Sequence, residues 1–242
     1  MIKKLLRPVK YFLFAIEALF VSKYNSIFHK NFTCNKNSKR CESNRKSPNF
    51  RFDLLGKNAP KCCVTNLYHL LKDITELFDK HNIEYQLCCG TLLGAFRHKG
   101  FIPWDTDVDL LVPESKKKEI LNILSDKFNR QYYVEEERDD SIVGSLIKVH
   151  ISKINSLHVD LYTYIQKNDE FIYAHNRKFK VENVYPLQKI TFYNLKLSAP
   201  KNIEEQLIVL YGKDYMKYAY KQWALNKQKF KLIKFMPAKI NL

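Results

Sequence analysis

The chain has 242 residues, 45% of them apolar and 14% aromatic, which is enough to bury a sizeable core and too apolar for a disordered chain. A formal net charge of +16 points to acidic partners such as phosphates or anionic lipid. No RNA- or DNA-binding signature accompanies that charge, so nucleic acid is not an expected partner. The excess is uneven: residues 1–50 hold 11 Lys/Arg against 2 acids.

In chain order, Lys3, Lys4, Arg7 and Lys10 precede an apolar run of 11 residues, Tyr11 to Val21, that contains Glu17. A spanning helix needs about 20 apolar residues, whereas a signal h-region needs about 7–15; no small-residue cleavage site follows. Residues 1–30 therefore read as an uncleaved signal-anchor, an interfacial helix, or a helix packed on the protein itself. Residues 31–63 form a polar, basic stem carrying the sequon Asn31-Phe32-Thr33 and four cysteines, and residues 64–242 form the main domain. Leu67, Leu70, Leu71, Ile74, Leu77 and Phe78 predict an amphipathic helix over 65–81. Residues 83–89 read as a buried strand ending at Gly90, 91–98 as a short helix, and 107–112 as a strand stopped by Pro113. A second amphipathic helix is expected over 114–129, with further strands over 144–151 and 157–165. The fold class is α+β, a mixed sheet flanked by helices, with no internal repeat.

Chemistry concentrates in "GTLLGAFRHKGFIPWDTDVDLLV", residues 90–112. On a strand, side chains at i and i+2 share a face, so Asp107 and Asp109 project together while Val108, Leu110 and Leu111 are expected to go to the core. Close carboxylates repel, and a divalent cation between them relieves the repulsion. Oxygen ligands of this kind suit Mg²⁺ or Mn²⁺. Asp160, in the apolar stretch "HVDLY", is the third candidate, because an unpaired acid there is costly. Any one of these acids, taken singly, also fits a solvated or salt-bridged carboxylate. Gly90 and Thr91, between a strand and a helix N-terminus, offer backbone N–H groups and a hydroxyl to a phosphate. Arg97, His98 and Lys99 follow within sequence reach of a diphosphate; a solvated basic loop is the alternative.

A Gly-Thr, an Asp-x-Asp on a strand and a later single Asp make the pattern of the nucleotidyltransferase fold. The block Gly90-Thr91-Leu92-Leu93-Gly94, Arg97 and Ile102-Pro103-Trp104-Asp105-x-Asp107-x-Asp109 resembles the family of LicD phosphotransferases, fukutin and fukutin-related protein. The likeness continues in "VDLY" around Asp160, in residues 184–202 and in "LYG" at 210–212, and Thr106, where bacterial members usually carry Asp, leans toward the fukutin-related branch. The resemblance implies a metal-dependent transfer of a phospho-alcohol (ribitol, glycerol or choline phosphate) from a CDP-activated donor to a glycan or glycoprotein hydroxyl. Asp107 and Asp109 would be metal ligands, Asp160 a ligand or base, Gly90, Thr91 and Arg97 phosphate contacts, and Asp105 an edge support that could also ligate. A nucleotidyltransferase using a nucleoside triphosphate, a non-catalytic glycan-binding protein and a membrane-surface adaptor are the rival readings. Cys34, Cys41, Cys62 and Cys63, spaced C-x6-C-x20-C-C, resemble the zinc-bound cysteine loop of fukutin-related protein, which implies a closed structural Zn²⁺ site; disulfides or free thiols are the alternatives. Cys88 and Cys89 are expected to pack in the strand as small hydrophobes. The basic-then-apolar N-terminus leads us to expect a membrane-associated protein, in the Golgi or secretory lumen if eukaryotic or on the cytoplasmic face of a bacterial membrane.

Overall fold

A computed structural model describes residues 58–128, 131–137, 145–155, 157–174, 176–222, 227–231 and 236–240. The N-terminal segment, the sequon, Cys34 and Cys41 lie outside the described residues.

Helix α1, Lys61–Lys80, buries Val64, Leu67, Leu70, Leu71, Ile74 and Phe78 along one stripe, the i, i+3, i+4 spacing of a core-facing helix. It starts four residues before its expected bound. It stops at His81, whose N–H turns back to the Leu77 and Phe78 carbonyls. The strand expected over 83–89 is reduced to β1, Gln86–Leu87. Cys88 caps a helix and Cys89 begins it, with φ at +46°. Helix α2 is Cys89–His98 and strand β2 is Asp107–Pro113. The second amphipathic segment splits into a 3₁₀ turn, Glu114–Lys116, and helix α3, Lys117–Phe128.

Four strands follow: β3 (Tyr133–Glu137), β4 (Leu146–His150), β5 (His158–Lys167) and β6 (Glu170–Tyr173). Then come β7 (Arg177–Lys180), the short α4 (Val181–Val184), and a hairpin of β8 (Gln188–Phe192) and β9 (Leu195–Ala199). Helix α5, Ile203–Tyr211, begins at Asn202, whose side chain accepts the Glu205 N–H, an ordinary N-cap. A second hairpin, β10 (Tyr218–Gln222) with β11 (Lys227–Lys231), follows it.

The central sheet has seven strands, with the order β1-β2-β5-β4-β3 and with β6 and β7 continuing from β5. Among the described residues, only β2 and β5 of this sheet run parallel; the other pairs are antiparallel. A parallel pair needs a long crossover, and α3, β3 and β4 supply it. Strand alternation then sorts the side chains. Val108, Leu110, Val112, Val159 and Leu161 face the main core with α1 and α3. Leu111 and Tyr164 face the other way, into a smaller cluster with Phe171, Tyr173, Phe179 and Val184. Asp107 and Asp109 share Leu111's side, and Asp160 shares Tyr164's. The acids therefore open on the face away from the main core, beside an aromatic cluster. Among the described residues no helix is long and apolar enough to cross a membrane.

Candidate active site

The parallel β2–β5 pair places Asp107 beside His158 and Asp109 beside Asp160. One ligand atom each from Asp107, His158 and Asp160 lies within 4.8 Å of the others. His158 Nε2 stands 3.1 Å from Asp160 Oδ1, an ion pair whenever the imidazole is charged. That contact lacks hydrogen-bond geometry, and buried Oδ1 has no hydrogen-bond partner; Oδ2 accepts from the Tyr162 hydroxyl at 3.4 Å.

Helix α2 is pinned against this pair. The Gly90 N–H donates to Asp109 Oδ2 at 3.2 Å, the Asp109 N–H donates to Thr91 Oγ1 at 2.8 Å, and the Cys88 N–H donates to the Asp109 carbonyl at 3.2 Å. Gly90 leaves room for the acids: a Cβ there would lie 2.8 Å from Asp105 Oδ2 and 3.7 Å from Asp109 Oδ2, so the Asp105 carboxylate would have to turn aside. Asp105 and Asp109 thus close over the same backbone, and Asp105 joins the site at its edge.

The electrostatics of this cluster are unbalanced. Burial, and then the charges of Cys89, Asp107, Asp160 and Asp105, push the Asp109 carboxyl well above the usual carboxylate range. Asp109 is partly exposed by area, but packed protein surrounds it. Burial first, followed by Asp160 and Asp109 at Tyr162 and by Cys89 and Asp109 at Tyr211, also raises these phenols, so both stay protonated. Lys148 is in register with Asp160 but its Nζ pairs with Glu137 at 2.6 Å. Among the described residues no lysine or arginine pairs with Asp107 or Asp109. The orphaned Asp160 Oδ1, the glycine cradle and a hard-oxygen donor set all fit a divalent cation.

The structure brings Gly90, Thr91, Asp105, Asp107, Asp109 and Asp160 together. Arg97 is used elsewhere: it is buried, and its Nη1 donates to the carbonyls of Tyr215 at 2.7 Å and Tyr218 at 3.3 Å. Burial lowers its pKa to about 10. Cys88 is fully buried and Cys89, half-buried, packs against the smaller cluster, as expected of small hydrophobes, but Cys89 also makes polar contacts. Its Sγ accepts from Arg177 Nη1 at 3.4 Å, and its thiol is acidified by a hydrogen bond from Cys88 and by the Arg177 charge, against the opposing effect of burial. Cys62 and Cys63 occupy the first turn of α1, Cys63 in the main core and Cys62 packed against it. Sequence reasoning missed His158, although its place two residues before Asp160 on a strand puts both on one face. It also missed Tyr211 and Arg177, whose proximity to the acids depends on tertiary packing.

The sequence signature of the LicD/FKTN/FKRP nucleotidyltransferase domain matches residues 82–202, half of the chain. The chain belongs to that family. Its fold is accordingly the mixed α+β nucleotidyltransferase domain, and its relatives include transferases. An uncharacterised protein of Rickettsia prowazekii is 30% identical over 63% of this chain and 54% of its own length. Ribitol 5-phosphate transferase FKRP of Mus musculus is 27% identical over 75% of this chain and 38% of its own. The lipopolysaccharide cholinephosphotransferase LicD of Haemophilus influenzae is 36% identical over 26% of this chain and 24% of its own length. The chain therefore spans about half or less of the relatives it matches. Among solved structures, the lincosamide adenylyltransferase LnuA aligns with a TM-score of 0.42 at 16% identity, covering 65% of this chain and 90% of that one. The family match spans β1 through the residue capping α5, and so contains every acid of the site.

Proposed function

We propose that the protein is a metal-dependent phosphotransferase that moves a phospho-alcohol from a CDP-activated donor to a hydroxyl of a glycan or glycoprotein. The observation that carries the reading is the convergence of Asp107, Asp109 and Asp160 on one sheet face, without a lysine or arginine paired to Asp107 or Asp109. The named relatives, a ribitol 5-phosphate transferase and a cholinephosphotransferase, support phospho-alcohol transfer. Asp107, Asp109 and Asp160 would hold Mg²⁺ or Mn²⁺, and His158 adds a nitrogen that Mn²⁺ accepts more readily. The ion would neutralise the diphosphate and the charge that develops on it.

The protein's own groups do the rest. The N-terminus of α2 at Gly90 and Thr91 orients the phosphates. The acceptor hydroxyl attacks the phosphorus on the alcohol side, and its proton passes to Asp160 where that carboxylate serves as the base instead of as a metal ligand. The bond to the CMP oxygen breaks, leaving a phosphodiester on the glycan and CMP as the second product. The basic-then-apolar order of residues 3–21 supports work at a membrane surface, in a secretory lumen or on the inner face of a bacterial membrane. Incubating the full chain with CDP-ribitol, CDP-glycerol and CDP-choline plus Mg²⁺ or Mn²⁺ tests the reading. CMP should appear with one donor. Pyrophosphate released from a nucleoside triphosphate, with no CMP from any donor, would overturn it in favour of nucleotidyl transfer.

A further inference from the structure

Two donors beside the acid cluster are poorly used. Tyr173 ends β6 and Arg177 begins β7, directly opposite it in register. Tyr173 is fully buried, and its hydroxyl meets the Arg177 side chain in a contact whose geometry does not complete a hydrogen bond. The Arg177 guanidinium carbon lies 5.9 Å from the Tyr173 ring centroid. Among the described residues Arg177 forms no ion pair with a carboxylate; its Nη1 points to Cys89 Sγ at 3.4 Å. Sulfur is a weak acceptor for a guanidinium, whereas a phosphate takes two parallel N–H bonds from one.

The location gives this arrangement its meaning. Cys89 immediately precedes Gly90, whose amide is bound to Asp109 Oδ2, so Arg177 stands one residue from the glycine cradle. Cys89 holds φ at +46°, a conformation that few L-residues adopt. Burial keeps the Tyr173 phenol protonated far above neutrality, so its hydroxyl has a proton to give. A buried donor without an acceptor is costly, and a cation near four acids that pairs with none of them is suited to an anion entering from outside.

We propose that Arg177 and Tyr173 form a phosphate subsite that receives one phosphate of the donor's diphosphate, with Cys89 positioning the guanidinium until the donor arrives. This rests on the CDP-donor reading above and deepens it by adding two protein donors that the metal ligands do not supply. The experiment titrates CDP and, separately, inorganic pyrophosphate into the full chain with Mg²⁺ by calorimetry, using wild type, Tyr173→Phe, Arg177→Lys and Arg177→Gln. Tyr173→Phe removes a hydroxyl whose contact with Arg177 is poor in geometry, so its melting temperature without ligand should stay close to that of wild type. Its affinity for CDP and pyrophosphate should nevertheless fall roughly tenfold or more, the usual cost of a lost bond to a charged group. Arg177→Gln should lose more, and Arg177→Lys should recover part. Cytidine, which lacks phosphate, should bind all four alike.

Wild-type affinity for both phosphates in a folded Tyr173→Phe and Arg177→Gln would overturn the subsite and leave the donor reading standing. Pyrophosphate binding that the variants weaken, without any CDP binding, would uphold the subsite and overturn the cytidine donor. A wild type that binds neither would overturn both.

Discussion

Replacing Asp109 by Asn removes one charge from the acid cluster and keeps the shape, and an amide oxygen can still accept the Gly90 N–H. Asp109 and Asp160 are register neighbours on the parallel pair, about 5 Å apart by strand spacing. Two charges at that distance repel by about 3 kcal/mol at an effective dielectric near 20. Solvent and His158 reduce this, but even about 1 kcal/mol of relief raises the melting temperature of such a domain by about 2–4 °C. The effect depends on pH. Burial and the neighbouring charges raise the Asp109 carboxyl in the fold, so the folded state holds that proton more tightly than the unfolded chain. Wild type without metal therefore loses stability as pH rises from the ordinary carboxylate range toward the raised value, and the Asn variant does not. Their melting curves should coincide near pH 4 and separate toward neutrality, with the variant the more stable. Mg²⁺ at a hundred times its dissociation constant should return about 2.7 kcal/mol to wild type and little to the variant. Donor turnover, followed by CMP release, should fall about a thousandfold or more. Calorimetry with and without Mg²⁺ across this pH range decides the matter. A variant that melts several degrees lower without metal, yet still turns over donor, would show that Asp109 is a structural acid.

Gly90→Ala puts a methyl group 2.8 Å from Asp105 Oδ2; we expect a folded protein with at least tenfold weaker Mg²⁺ binding, measured by calorimetry, and unchanged affinity would refute the cradle. His98 is buried beside Arg97, whose Nε–H donates to its Nδ1 at 3.4 Å, and burial, then the Arg97 charge, lowers its pKa to about 4. Its stabilising effect is complete above pH 6.5 and is lost as pH falls toward 4, by at most about 3 kcal/mol; urea midpoints for His98→Gln should lack this loss between pH 7 and 5. We expect about one zinc per chain by elemental analysis, removed by replacing Cys34, Cys41, Cys62 or Cys63 with Ser but not by replacing Cys88; a disulfide at Cys34 found by mass spectrometry would refute this. The intact chain should pellet with membrane vesicles, and a version beginning near Asn31 should remain in the supernatant; intact chain left in the supernatant would refute the anchor.

What the sequence reveals about this site is set by the range of each constraint. The shared face of Asp107 and Asp109 follows from a two-residue period, and the core side of β2 follows from the same alternation. The buried stripe of α1 is equally local, which is why its helix was legible to within a few residues. His158 enters by a different route. Its partnership with Asp107 exists because β5 inserts beside β2, in parallel, after the crossover of residues 114–157. Strand order across such a crossover is not written in local periodicity. The same holds for Arg97, which reads as a phosphate contact beside His98 and Lys99 but donates to carbonyls 118 and 121 residues away. Cys89 is the instructive failure. "IEYQLCC" alternates and is apolar, so it reads as a strand, yet the chain must turn at Cys89 for the Gly90 amide to meet Asp109 Oδ2. The local preference for a strand yields to the contact that builds the site, and the cost is a left-handed backbone at Cys89. That turn also carries the Cys89 thiol to Arg177. The residue at which strand propensity failed is therefore the one that joins the acid cluster to the anion subsite, as expected where a site, and not the core, dictates the backbone.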